Sequence, residues 1–161
     1  MDKEKPIEEK LNEEKPSEEK PVEKKPTEKK PVEETSVKKK SKRTYSILAV
    51  DDSAFFLQQI KGYLMDTKYE VTCVNSGKSA LKYLLTNQPD LFILDIHMPE
   101  MDGYDLARAI KAKGMEQPII FLTSHASKVA VVNTMEAGGS DFIVKPCTKE
   151  LLIERIAKHL R

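Results

Sequence analysis

Five polar residues stand where the sequence turns abruptly from apolar to polar. Asp51 and Asp52 follow the run Ile47 to Val50, Asp95 follows Leu91 to Leu94, Thr123 follows Ile119 to Leu122, and Lys145 follows Phe142 to Val144. Three carboxylates brought together repel unless one takes up a proton or a cation sits among them. All-oxygen ligation suits Mg²⁺, which keeps several waters and commonly engages one or two carboxylates together with phosphate oxygens. A lysine ammonium and a threonine hydroxyl beside such a group can hold the oxygens of a phosphoryl group in transit, where catalysis is largely positioning and charge neutralisation. An aspartate can itself act as the nucleophile and form an acyl phosphate. The chemistry open to these residues is therefore that of an aspartyl-phosphate site, provided the fold brings them together.

The apolar runs, with Val71 to Val74 as the fifth, have the length and the β-branched or aromatic content of buried strands. Helix-like stretches lie between them. Residues 53–66 space Phe56, Ile60 and Leu64 four apart, and residues 77–86 carry Leu81, Leu84 and Leu85. Residues 104–113 carry Leu106 and Ile110, residues 128–137 form a fourth stretch, and residues 149–160 place Leu152, Ile156 and Leu160 on one face after Thr148, a suitable N-cap. Pro89, Gly114 and the pair Gly138–Gly139 supply stops. Strands alternating with helices predict an α/β fold with a parallel sheet covered on both faces. In such open sheets the ligand crevice lies outside the carboxyl ends of the strands, and neighbouring strands are about 4.8 Å apart. The acids, the threonine and the lysine all fall at that end. Cys73 and Cys147 have neither disulfide nor metal-ligand spacing and read as buried small hydrophobes.

The chain has 161 residues with 27 Lys+Arg against 26 Asp+Glu, a length that suggests one domain with an appendage. Residues 1–43 hold 26 of those 53 charges but no glycine and no aromatic. From Lys5 they repeat with a period of five, as KPIEE, KLNEE, KPSEE, KPVEK, KPTEK and KPVEE. Proline at the second position breaks helix, and so little apolar content cannot offset the entropy of ordering, so this segment is expected to be a disordered tail. It would serve as a solubilising spacer, or tether an acidic partner through Lys38, Lys39, Lys40, Lys42 and Arg43. The globular domain is expected over 44–161. The near-neutral charge gives no reason to expect nucleic-acid binding. With no apolar run of about 18 residues and no signal peptide, no membrane insertion and a cytoplasmic location are expected.

Four motifs in order, Val50-Asp51-Asp52-Ser53, the segment from Leu94 to Gly103 (LDIHMPEMDG), Leu122-Thr123-Ser124 and Val144-Lys145-Pro146, resemble those of two-component response-regulator receiver domains. The resemblance spans about residues 45–161. It implies a doubly wound, flavodoxin-like sheet of five parallel strands in the order 2-1-3-4-5 with five helices. It also implies that Asp95 is the phosphoacceptor, taking its phosphoryl group from a phosphohistidine on a sensor histidine kinase or phosphotransfer protein. Asp52, Asp95 and the backbone carbonyl of His97 would ligate Mg²⁺, with Asp51 helping through water. Lys145 would pair with Asp95 and then with the phosphate, and a cis bond would join it to Pro146. Thr123 would swing toward the phosphoryl oxygen and Phe142 would turn into the vacated space, a two-state switch remodelling the face of the fourth and fifth helices and last strand.

Gly103 reads as a loop position of positive φ. His97 and His125, each two residues after a site residue, are candidate modulators of acyl-phosphate lifetime, or simply exposed loop residues. His159 reads as a surface residue. A haloacid-dehalogenase-type phosphatase is the enzyme alternative, but its second acid would fall at His97. A pseudo-receiver that never takes phosphate would lack one of the acids or the lysine, and all are present. No effector domain is expected after Arg161. Output is therefore expected through an unnamed downstream protein, a relay or a phosphorylation-dependent dimer, in a signalling protein rather than a conventional enzyme.

Overall fold

The computed structural model describes residues 43–125 and 127–160; the expected tail, except for Arg43, lies outside them. Strands β1 (Tyr45–Val50), β2 (Tyr69–Val74), β3 (Leu91–Asp95), β4 (Ile119–Thr123) and β5 (Asp141–Val144) alternate with helices α1 (Ala54–Leu64), α2 (Gly77–Tyr83), α3 (Gly103–Ala112), α4 (Lys128–Glu136) and α5 (Lys149–His159). The strands form one parallel sheet in the order β2-β1-β3-β4-β5. This is the doubly wound α/β architecture expected above.

Alternation along each strand divides its side chains between two faces. Ile47, Ala49, Ile93, Ile120, Leu122 and Ile143 pack with Leu57, Ile60 and Leu64 of α1 and Leu152 and Ile156 of α5. Leu48, Val50, Phe92, Leu94 and Phe121 pack on the other face with Ala80 of α2 and Leu106, Ala107 and Ile110 of α3. The central strands β3 and β4 are buried throughout, which is why they read as unbroken apolar runs. Side chains of this size contribute about 1.5–3 kcal/mol each on full burial.

Helix starts follow the sequence. Ser76, Asp102, Ser127 and Thr148 each accept a hydrogen bond from a backbone N–H in the first turn of the helix that follows. α1 starts differently: Ser53 makes no side-chain cap, and its own N–H donates to Asp51 Oδ1 at 2.9 Å. α4 is the least embedded helix, with Thr134 buried and Val129, Val132 and Met135 exposed.

Several local expectations are corrected. α2 ends at Tyr83, so Leu84 still reaches the core while Leu85 points to solvent. Cys73 and Cys147 are only half-buried, both packed at the margin of the α1/α5 core. Arg43, counted in sequence with the basic cluster, lies over the Tyr45 ring at 4.8 Å and donates to Asp90 Oδ1 at 3.3 Å.

His159 is not a free surface residue. Its Nε2 lies 3.3 Å from Oδ2 of buried Asp141, which also accepts from Lys158 Nζ at 3.1 Å, while Asp141 Oδ1 accepts from Arg155 at 3.0 Å. This cluster fastens the start of β5 to the end of α5. Burial alone would raise the Asp141 pKa, but hydrogen bonds from Lys158, the Phe142 N–H, His159 and Arg155 outweigh it and hold the carboxyl below its usual value. A depressed folded-state pKa contributes stability above the unfolded value of about 3.9 that is lost as pH falls through the folded value. Asp141→Asn is therefore expected to cost about 1–2 kcal/mol at pH 7, with the difference from wild type shrinking below about pH 4. Denaturant unfolding at both pH values measures it.

Candidate functional site

The parallel sheet brings the ends of β1, β3, β4 and β5 to one edge, and the chain turns sharply there. Asp51 leaves β1 fully buried, Asp52 beside it is exposed, and Asp95 ends β3 with 3% of its surface accessible. One oxygen from each carboxylate lies within 4.8 Å of the others. Lys145, just beyond β5, donates from Nζ to Asp51 Oδ2 and to Asp95 Oδ1, each at 2.6 Å, and its side chain is 8% exposed. Its peptide bond to Pro146 is cis, as the resemblance implied. The backbone N–H of Lys145 donates to Thr123 O at 2.7 Å, tying the ends of β4 and β5 together.

Three carboxylates against one ammonium leave an excess of negative charge. Burial first, then repulsion from Asp51 and Asp52, pushes the Asp95 pKa up, although the hydrogen bond and charge of Lys145 oppose this. Burial works against the charged form of Lys145, but the two carboxylates outweigh it and raise its pKa, so the ammonium stays charged. The site is thus one positive charge short of neutralising its buried acids, with an exposed carboxylate on its open side. That donor set suits a hard dication.

Thr123 is buried, and its hydroxyl donates to His125 O at 3.0 Å and accepts from His125 N at 3.1 Å. This turn holds the hydroxyl against its own loop. Thr123 shares a sheet face with Phe121, and the register puts Phe142 opposite Phe121 on that face. Phe142 is half-buried against the α2/α3 core. His97 and His125 are exposed, their rings edge to face with centroids 6.1 Å apart. They border an open cleft of about 210 Å³ that Thr123 and Tyr104 also line. The structure therefore groups Asp51, Asp52, Asp95 and Lys145, places Thr123 and the histidines at the rim, and leaves Phe142 in the core margin.

Two features lay outside the sequence reading. The face of Phe56, counted there as one of the apolar positions of α1, lies over Lys145 Nζ at 4.3 Å to the ring centroid. Gly103 is required for a different reason from the one expected, since its φ is not positive. A Cβ there would stand 2.2 Å from the backbone oxygen of Asp95 and 3.0 Å from the Ile96 Cα. The start of α3 thus lies directly against the Asp95 turn, fixed by the Gly103 N–H donating to Ile96 O at 2.9 Å.

A doubly wound sheet with three acids and a lysine at its carboxyl edge defines a receiver-type phosphoacceptor fold. Comparison with known proteins agrees: the response regulator receiver domain family matches residues 47–157, and the chain belongs to that family. It is 37% identical over 103 residues to the regulatory protein LuxO of Vibrio vulnificus, covering 64% of this chain and 23% of that protein. It is 34% identical over 115 residues to the transcriptional regulatory protein DltR of Streptococcus agalactiae, covering 71% of this chain and 51% of that one. The chain thus spans about a quarter of the one relative and about half of the other. Among solved structures, the receiver domain of a LuxO-type repressor from Vibrio parahaemolyticus superposes with a TM-score of 0.69 at 31% identity, covering 73% and 90% of the two chains. The chemotaxis protein CheY4 of Vibrio cholerae gives 0.70 at 29% identity, covering 73% and 99%. Receiver domains are phosphorylation-accepting signalling proteins, not conventional enzymes. No described helix is long and apolar enough to cross a membrane.

The Gly103 contact is testable by substitution. Gly103→Ala should cost about 2–4 kcal/mol, because backbone on both sides must shift. Gly62→Ala, at an exposed position of α1 with nothing within 4 Å of the added Cβ, should be neutral or stabilise by up to about 1 kcal/mol. Thermal unfolding of the two variants measures the contrast.

Proposed function

We propose that Asp95 is the phosphoacceptor of a phosphorylation-driven switch, with a phosphohistidine on a sensor histidine kinase or phosphotransfer protein of the cytoplasm as donor. The observation that carries this reading is the Lys145 ammonium held 2.6 Å from both Asp51 and Asp95 while Asp52 adds uncompensated negative charge within 4.8 Å. Asp52 and Asp95, with the main-chain carbonyl of His97, would hold Mg²⁺. Asp51, already engaged by Lys145 and by the Ser53 N–H, would reach it through water. When bound, the ion supplies positive charge to the phosphoryl oxygens.

In the transfer, an Asp95 carboxylate oxygen forms a bond to phosphorus as the donor's N–P bond breaks, the imidazole nitrogen keeping the bonding pair. Lys145 exchanges Asp95 Oδ1 for a phosphoryl oxygen while Asp51 keeps it anchored. The same residues serve when water hydrolyses the acyl phosphate, so the chain catalyses both its own phosphorylation and dephosphorylation. His97 and His125, at the rim, stand where that water enters.

The signal leaves through Thr123. To donate to a phosphoryl oxygen, its hydroxyl must give up the bond it donates to His125 O, and its swing also breaks the bond it accepts from His125 N–H, which loosens the loop before α4, and Phe142 then turns into the space vacated. The helix next to that loop is the one least held by the core, with three exposed apolar side chains. A downstream protein, or a second phosphorylated copy, would read that face.

Incubation with Mg²⁺ and a small phosphodonor such as acetyl phosphate should add one phosphoryl group by mass to the wild type and none to Asp95→Ala. Lys145→Ala should be phosphorylated roughly 10²-fold more slowly. An adduct that persists in Asp95→Ala would refute the assignment.

A further inference from the structure

A lysine ammonium has three N–H donors. In Lys145 two of them serve Asp51 Oδ2 and Asp95 Oδ1 at 2.6 Å. The Phe56 ring lies 4.3 Å from Nζ, centroid to nitrogen, and only 8% of the lysine side chain meets solvent. We infer that Phe56 is a positioning residue for Lys145, its ring face replacing water around the ammonium and keeping Nζ aimed at the oxygen that Asp95 presents. This rests on the reading of Asp95 as phosphoacceptor.

The physical case has three parts. The face of an aromatic ring carries negative quadrupole, so it attracts a cation without competing for it as a third carboxylate would. The attraction is strongest where water is excluded, and this ammonium is nearly buried. Finally, the ring has a defined setting. Phe55, the preceding residue, meets it edge-on with centroids 5.7 Å apart and planes at 79°, and α1 is pinned at its start by the Ser53 N–H donating to Asp51 Oδ1. Asp51 therefore holds Lys145 with one oxygen and, with the other, the helix that carries Phe56.

During transfer, Lys145 must release Asp95 Oδ1 and take a phosphoryl oxygen. A long, flexible side chain released on one side would ordinarily swing toward water. With Asp51 on one side and the Phe56 face on another, the ammonium is kept directed toward Asp95. An aliphatic side chain at position 56 would fill much of the same space and keep the α1 packing, but would offer the ammonium no favourable surface.

The test is the rate of phosphorylation by acetyl phosphate with saturating Mg²⁺. Phe56→Leu should lower the maximal rate about 3- to 10-fold and leave the half-saturating donor concentration unchanged, and Phe56→Tyr should restore the rate. In a Lys145→Met background, Phe56→Leu should have no further effect. An equal loss in both backgrounds, or full rate in Phe56→Leu, would overturn the inference. A second readout does not depend on phosphorylation. By NMR, the Lys145 ε-methylene should be shifted upfield by the ring in the wild type and not in Phe56→Leu; a wild-type ε-methylene at its ordinary position also overturns it. Absence of any adduct in the wild type would instead count against Asp95 as phosphoacceptor.

Discussion

One ammonium shared by two buried carboxylates is the interaction on which the rest of the site depends. Lys145 bridges Asp51 and Asp95, yet buried ion pairs are weak stabilisers because desolvation offsets most of the attraction. Here the balance is worse still, because Asp52 adds a third carboxylate within 4.8 Å. Burial first, and then repulsion from Asp51 and Asp52, raise the Asp95 pKa against the pull of Lys145. A site left short of positive charge lowers the stability of the protein and suits a hard dication, whose charge would in turn attract phosphoryl oxygens. Stability yielded in favour of function is what active sites commonly show.

Such crowding persists only if the backbone leaves no room to relax. Asp51 and Asp95 end neighbouring strands in the middle of the sheet, where β1 pairs with both β2 and β3. The side chains just before them, Val50 and Leu94, are fully buried. Behind Asp95 the α3 start approaches so closely that only a glycine fits at position 103. The opposite side of the design is loose. α4 has one buried residue, and the Thr123 hydroxyl is held by its own loop and not by the core. Regions with few buried apolar contacts open at low free-energy cost, so a rigid acid cluster joined to a weakly packed helix can convert a local charge change into a change of surface.

Much of this was legible in the residue order, for physical reasons. Strands buried on both faces must be apolar throughout, so β3 and β4 stood out most plainly among the five runs, and parallel pairing then put Asp51, Asp52, Asp95, Thr123 and Lys145 at one edge. Other features depend on quantities a linear pattern does not carry. Phe56 occupies an apolar position of α1 spaced four from Ile60, and nothing in that spacing shows that its ring reaches Lys145, 89 positions away in number. Gly103 looked like a turn residue because its neighbour in space, the Asp95 carbonyl, is invisible without the turn itself. His159 looked exposed because its partner Asp141 lies on a different element, and Leu85 was placed on a helix because periodicity does not say that α2 stops at Tyr83.

Comparing the stability of wild type and Asp95→Asn in chelator and in saturating Mg²⁺ tests the central claim, that excess negative charge at the strand ends is held in place to receive a cation. Replacing one repelling carboxylate by a neutral amide should raise stability in chelator by about 1–3 kcal/mol, since a group with a raised folded-state pKa weakens the fold once ionised. It should also abolish the stabilisation that Mg²⁺ gives the wild type. An Asp95→Asn protein less stable than wild type in chelator, together with a wild type indifferent to Mg²⁺, would contradict the claim.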